Sequence, residues 1–106
     1  MQKELKVDMD WRPPQSWIVA YTYAMDTLLM TYLHGNSRDW SWEETKHGFH
    51  IRIYLREPIE DVEAMMLQFL LGDDRVRCKL NYGRWKAGIK DWNKLWKCKV
   101  GRDNKK

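Results

Sequence analysis

Apolar and polar residues alternate along some stretches of the chain and recur at helical spacing along others. Leu5, Val7 and Met9 alternate with Lys6, Asp8 and Asp10, the period of two expected of a half-buried strand, and Pro13 and Pro14 end the run. Trp17, Tyr21, Tyr23, Ala24, Met25, Leu28, Leu29, Tyr32 and Leu33 follow at helical spacing, with Ser16 as a cap and Gly35 as the stop. Residues 38–45 alternate again, with Trp40, Trp42 and Glu44 on one side. After a corner at Lys46-His47-Gly48, a third strand puts Phe49, Ile51, Ile53 and Leu55 on one face and His50, Arg52, Tyr54 and Arg56 on the other.

Pro58 and the acidic Glu60, Asp61 and Glu63 predict the opening of a second helix, with Ile59, Val62, Met65, Met66, Phe69 and Leu70 as its buried stripe and Gly72 as its stop. Val76, Cys78 and Leu80 alternate with Arg77, Lys79 and Asn81 as a fourth strand, and residues 92–100 read as a fifth strand or an edge hairpin. The order strand, helix, strand, strand, helix, strand predicts an α+β fold. It is a ferredoxin-like or RRM-like split βαβ sandwich: an antiparallel sheet with two helices on one face and the first and third strands adjacent. Met25, Met30, Met65 and Met66 read as packing between helices and sheet, and most of the tryptophans as core or hairpin.

A length of 106 residues suits one domain, with a basic C-terminal extension from about residue 84. No apolar run approaches the roughly 18 to 20 residues of a membrane span, and residues 1–6 lack the apolar stretch of a signal peptide, so no membrane partner and a cytoplasmic location are expected. Cys78 and Cys98 are too few for a disulfide framework and read as ordinary buried thiols. Charge adds what periodicity cannot show. Residues 1–74 hold 7 Lys/Arg against 13 Asp/Glu, a balance of −6, whereas residues 75–106 hold 12 against 2, a balance of +10. A basic third carrying Trp85, Trp92 and Trp96 suits a polyanion with flat rings, meaning nucleic acid or nucleotides.

In the expected sheet, Asp8, Asp10, His50, Arg52, Tyr54, Arg77, Lys79 and Asn81 converge on the face the helices leave open. Two aspartates at i and i+2 lie roughly 7 Å apart and repel unless a hard cation such as Mg²⁺ or Mn²⁺ bridges them to phosphate. The same pair also suits the solvated rim of a sheet. His50 and Arg52 can hydrogen-bond a triphosphate. Asp8-Met-Asp10 followed by Thr45-x-x-Gly48-x-His50 resembles the first two motifs of the archaeo-eukaryotic primase superfamily, the primase-polymerases. The resemblance spans roughly residues 5–100. It implies a minimal or degenerate replication protein, of plasmid or viral type, that performs metal-dependent nucleotide binding or nucleotidyl transfer. It also implies Asp8 and Asp10 as metal ligands, Asp8, Asp10 and His50 as catalytic residues, and Thr45, His50, Arg52 and Asn81 at the nucleotide. Thr45 stands where the family has serine, and Asn81 where it has a third carboxylate.

Two further readings remain open. In one, the sheet is a non-catalytic single-stranded nucleic-acid module that stacks bases on Tyr54 and meets phosphates with Arg77, Lys79, Arg84, Lys86, Lys94 and Lys97. In the other, Trp40 and Trp42 form a surface for a partner protein, a replication protein among the candidates. A zinc site from His47, His50, Cys78 and Cys98 lacks a characteristic spacing, and the histidine pattern of a rolling-circle nuclease is not met.

Overall fold

The computed structural model describes residues 1–95. Strands β1 (Gln2–Met9), β2 (Ser37–Glu44) and β3 (Phe49–Ile59) form an antiparallel sheet in the order β1-β3-β2, and helix α1 (Gln15–Leu33) connects the first two strands. Helices α2 (Asp61–Leu70) and α3 (Arg75–Lys86) follow β3. The fold is α+β, of the split βαβ kind, with β1 and β3 side by side. Leu5, Val7 and Met9 pair with Ile53, Ile51 and Phe49, so one face is continuously apolar. Against it lie Met25, Leu29 and Leu33 of α1 and Ala64, Leu67 and Leu71 at α2, with Trp92 closing the same core. Each fully buried leucine, isoleucine, valine, phenylalanine or methionine among them contributes about 1.5–3 kcal/mol.

Turn chemistry sets the order of the elements. At the end of α1, His34 and Gly35 both take positive φ, and His34 donates its backbone N–H to Met30. Asn36 then donates from Nδ2 to the Glu57 carbonyl and accepts the Glu57 N–H at Oδ1, extending the β2 side of the ladder by a side chain. Pro58, expected to open the second helix, is the next-to-last residue of β3 instead. Its missing N–H is tolerated near a strand end, and α2 starts at Asp61. Similarly, Pro14 rather than Ser16 occupies the N-cap of α1.

Of the stripe expected on α2, Ile59 is buried at the end of β3 and Met65 packs against the core, but the other four residues face outward. Val62, Met66, Phe69 and Leu70 are exposed, while Ala64, Leu67 and Gln68 are buried. Both sets have helical spacing. Gln68 decides the rotation, because its Oε1 accepts the Lys6 N–H at 2.9 Å on the outer edge of β1. Of the four methionines assigned to packing, Met25 is buried and Met65 half-buried, but Met30 and Met66 point outward.

Residues 75–86, which hold the expected fourth strand, form α3 instead. The punctuation before them decides this. Gly72 (φ +95°) and Asp73 close α2 with N–H bonds to the Phe69 and Gln68 carbonyls, a Schellman pattern, and Asp74 caps α3 by accepting the Arg77 N–H at 3.1 Å. A period of two over six residues is too short to outweigh two such caps. With no fourth strand among the described residues, β1 is an edge whose outward backbone groups are met by side chains and by the turn. Gln68 meets the Lys6 N–H, Arg77 the Lys6 carbonyl, Asp73 the Asp8 N–H and the Asp74 N–H the Asp8 carbonyl. The expected fifth element falls mostly outside the described residues, as do Trp96, Lys97 and Cys98, and residues 92–95 carry no strand.

Candidate functional site

The open face of the sheet brings part of the expected set together. Asp8, His50 and Glu43 are direct cross-strand neighbours on β1, β3 and β2. His50 Nε2 lies 3.4 Å from Asp8 Oδ1, and His50 Nδ1 lies 4.0 Å from Glu43 Oε1. The convergence of Asp8 and His50 follows from strand register alone, but both are enclosed, at 4% and 2% exposure. Asp10 lies exposed just past the end of β1. Of the two carboxylates expected to hold Mg²⁺ or Mn²⁺, Asp8 thus faces the His50 imidazole and Asp10 lies beyond the strand. Among the described residues, no group of three or more His, Cys, Asp or Glu gathers in a metal-binding arrangement.

Local structure already accounts for the turn motif. The Thr45 hydroxyl accepts the Gly48 N–H at 3.1 Å, the Thr45 N–H bonds the Gly48 carbonyl, and Arg12 donates to the carbonyls of Thr45 and Lys46. Gly48 is demanded by sterics, since a Cβ there would stand 1.9 Å from the Met9 carbonyl oxygen. Arg52 pairs with Glu4 at 3.0 Å, and Tyr54 lies beneath the Arg38 guanidinium. Lys6 donates to the Asn93 carbonyl, and burial lowers its ammonium pKa. The open face therefore carries Glu4, Asp8, Asp39 and Glu43 among cations that are largely engaged, an unfavourable field for a phosphate backbone. Trp42, expected at a partner surface, stacks on Phe49 with ring centroids 3.9 Å apart, leaving Trp40 the more exposed of the two.

The residues expected on a fourth strand divide by helical rotation. Arg77 is almost fully buried, and its guanidinium bonds Asp73 Oδ2, Asn93 Oδ1 and the carbonyls of Lys6 and Lys94. Four of its five N–H donors are thus engaged inside the protein, and its burial keeps the guanidinium from the surface a nucleic acid would meet. Asn81, also buried, lies on α3 and not on a strand, and its Oδ1 accepts from Arg84 and from the Lys94 N–H. Burial pushes the Asp73 carboxyl above the ordinary carboxylate range, against the pull of Arg77. The half-buried Cys78 thiol, beside Asp73, is pushed up to about 12 by burial first and the Asp73 charge second.

The outward half of α3 is the opposite. At 100° per residue, Arg75, Lys79, Tyr82 and Lys86 form one stripe, flanked by Val76 and Leu80, all exposed. Arg75, Lys79 and Lys86 enter no ion pair among the described residues, and the Lys86 ammonium sits 6.0 Å from the Tyr82 ring centroid. Arg84 is half-buried, and Lys94 places its ammonium on Asp91. Lys79, expected on the sheet, and Lys86, expected in the basic extension, are therefore displayed by one helix together with Arg75.

Comparisons with known proteins add one relative. No protein-family model matches the chain, and no solved structure matches it. The chain is similar to a protein of Sulfolobus islandicus filamentous virus (isolate Iceland/Hveragerdi) named "Uncharacterized protein 30", with 29% identity over 91 residues, 86% of this chain. The chain spans about a third of that relative's length, 33%.

Proposed function

We propose that this chain is a nucleic-acid-binding module whose contact surface is the outward face of α3. The observation that carries the reading is the stripe of Arg75, Lys79, Tyr82 and Lys86, three cations and an aromatic ring on one exposed helix face. Such a face neutralises phosphates and releases their counterions, so affinity falls steeply with salt. The acidic character of the open sheet face supports the helix over the sheet as the place of contact.

The test is fluorescence anisotropy with a labelled oligonucleotide across a salt series. Three phosphate contacts predict a loss of about 40-fold between 50 and 200 mM salt, and Arg75→Ala/Lys79→Ala/Lys86→Ala flattens the logarithmic slope by about 2 to 3. Tyr54→Ala on the sheet leaves binding unchanged. Salt-insensitive binding, or binding lost only in the sheet variant, would sink the reading.

The meeting of Asp8 and His50 favours a second reading, nucleotide binding or nucleotidyl transfer of the primase-polymerase kind. It requires Mn²⁺-dependent nucleoside triphosphate binding that disappears in Asp8→Ala. Calorimetry showing no binding to folded protein ends it.

A further inference from the structure

We infer that α2, its four-residue turn Leu71–Asp74 and α3 form a helix-turn-helix reader of double-stranded DNA, with α3 lying in the major groove. The inference rests on the nucleic-acid reading above and names the form of nucleic acid and the groove. Two helices joined by a short turn containing a glycine, the second helix outward and basic, is the arrangement in which a helix enters DNA. Gly72, at φ +95°, supplies the sharp reversal, and Asp74 starts α3 without an intervening loop.

The buried half of α3 is anchored as a docking element must be. Asp73 and Asp74 tie the turn to both backbone groups of Asp8, and Arg77 fixes the first turn of α3 to β1 and to residues 93–94. No side chain on the outward arc, from Tyr82 through Arg75 and Lys79 to Leu80, contributes to that anchorage. The arc covers roughly 160° of the helix, which is about 18 Å long and 10–12 Å across, a match for a major groove about 12 Å wide. Arg75 and Lys79 are separated by about 6 Å along the axis, and Val76 and Leu80 beside them offer apolar contact to thymine methyl groups.

The discriminating experiment measures affinity for one mixed-sequence DNA duplex, each of its single strands and the RNA duplex of the same sequence, then probes the DNA complex with dimethyl sulfate. The expected result is duplex DNA bound at least about tenfold more tightly than either strand and than the RNA duplex, whose major groove is too deep and narrow for a helix. Guanine N7 in the major groove should be protected and adenine N3 in the minor groove should remain reactive. Lys79→Gln and Tyr82→Ala, both on the exposed face, should erase the duplex preference while circular dichroism stays unchanged.

Equal or tighter binding of a single strand, or protection confined to adenine N3, overturns the inference and leaves the nucleic-acid reading standing. Failure to bind any of the nucleic acids, or capture only by vesicles of anionic lipid, overturns both.

Discussion

Replacing Arg77 with methionine tests the helical placement of residues 75–86 through stability. Methionine keeps most of the aliphatic stem and removes a guanidinium that reaches four acceptors: Asp73, Asn93, and the carbonyls of Lys6 and Lys94. Asp73 is left with the Asp8 N–H and the Cys78 thiol for its buried carboxylate. Breaking a buried pair from one side costs about 3–5 kcal/mol, a large share of the roughly 5–15 kcal/mol that holds a domain together. With a urea slope of about 2 kcal/mol per molar, the unfolding midpoint falls by about 2 M. Adding Asp73→Asn to Arg77→Met removes the orphaned charge and recovers more than about 1 kcal/mol, a non-additivity that two independent sites do not show. On a solvent-facing strand, Arg77 would be hydrated, and its loss would change stability by no more than about 0.5 kcal/mol. A shift that small, or strict additivity of the two substitutions, would refute the placement.

Three further outcomes follow from the same contacts. Gly48→Ala, which puts a methyl group 1.9 Å from the Met9 carbonyl, should destabilise by about 3 kcal/mol, against about 1–2 kcal/mol for Gly35→Ala, where only a positive φ is strained; thermal denaturation of the pair separates collision from strain. On α2, Leu67→Ala should cost about 2–5 kcal/mol and Phe69→Ser about 0.5 kcal/mol or less in urea unfolding, because the first faces the sheet and the second is 62% exposed. With its pKa raised to about 12, Cys78 is protonated at neutral pH and gains thiolate only as pH rises toward that value. In a Cys98→Ser background it should react with iodoacetamide at pH 8 about 1,000-fold more slowly than an ordinary thiol, and labelling at the ordinary rate would contradict its placement beside Asp73.

Strand content was legible where alternation was long and one face was wholly apolar, as in Phe49 to Leu55. Strand register was legible with it, which is why Asp8 and His50 meet. Rotation of α2 was not, because two stripes of equal spacing competed and the deciding residue was a glutamine that serves the β1 edge. The identity of α3 was hidden by a coincidence of alternation, although Gly72, Asp74 and the spacing of Asp73 and Arg77 all signalled a helix. The helical state of residues 75–86 removes Arg77 and Asn81 from the expected site, moves Lys79 from a sheet to a helix and joins it there with Lys86 of the expected basic extension. The basic composition of the last third was a sound guide to where positive charge lies, but not to the element that displays it.

Mapping amide chemical shifts of ¹⁵N-labelled protein while a DNA duplex is added bears most directly on where nucleic acid binds. Shifts concentrated at Arg75, Val76, Lys79, Tyr82 and Lys86, with Glu43, Arg52 and Tyr54 still, are the expected pattern. Shifts centred on the sheet face, or none at saturating duplex, would contradict it.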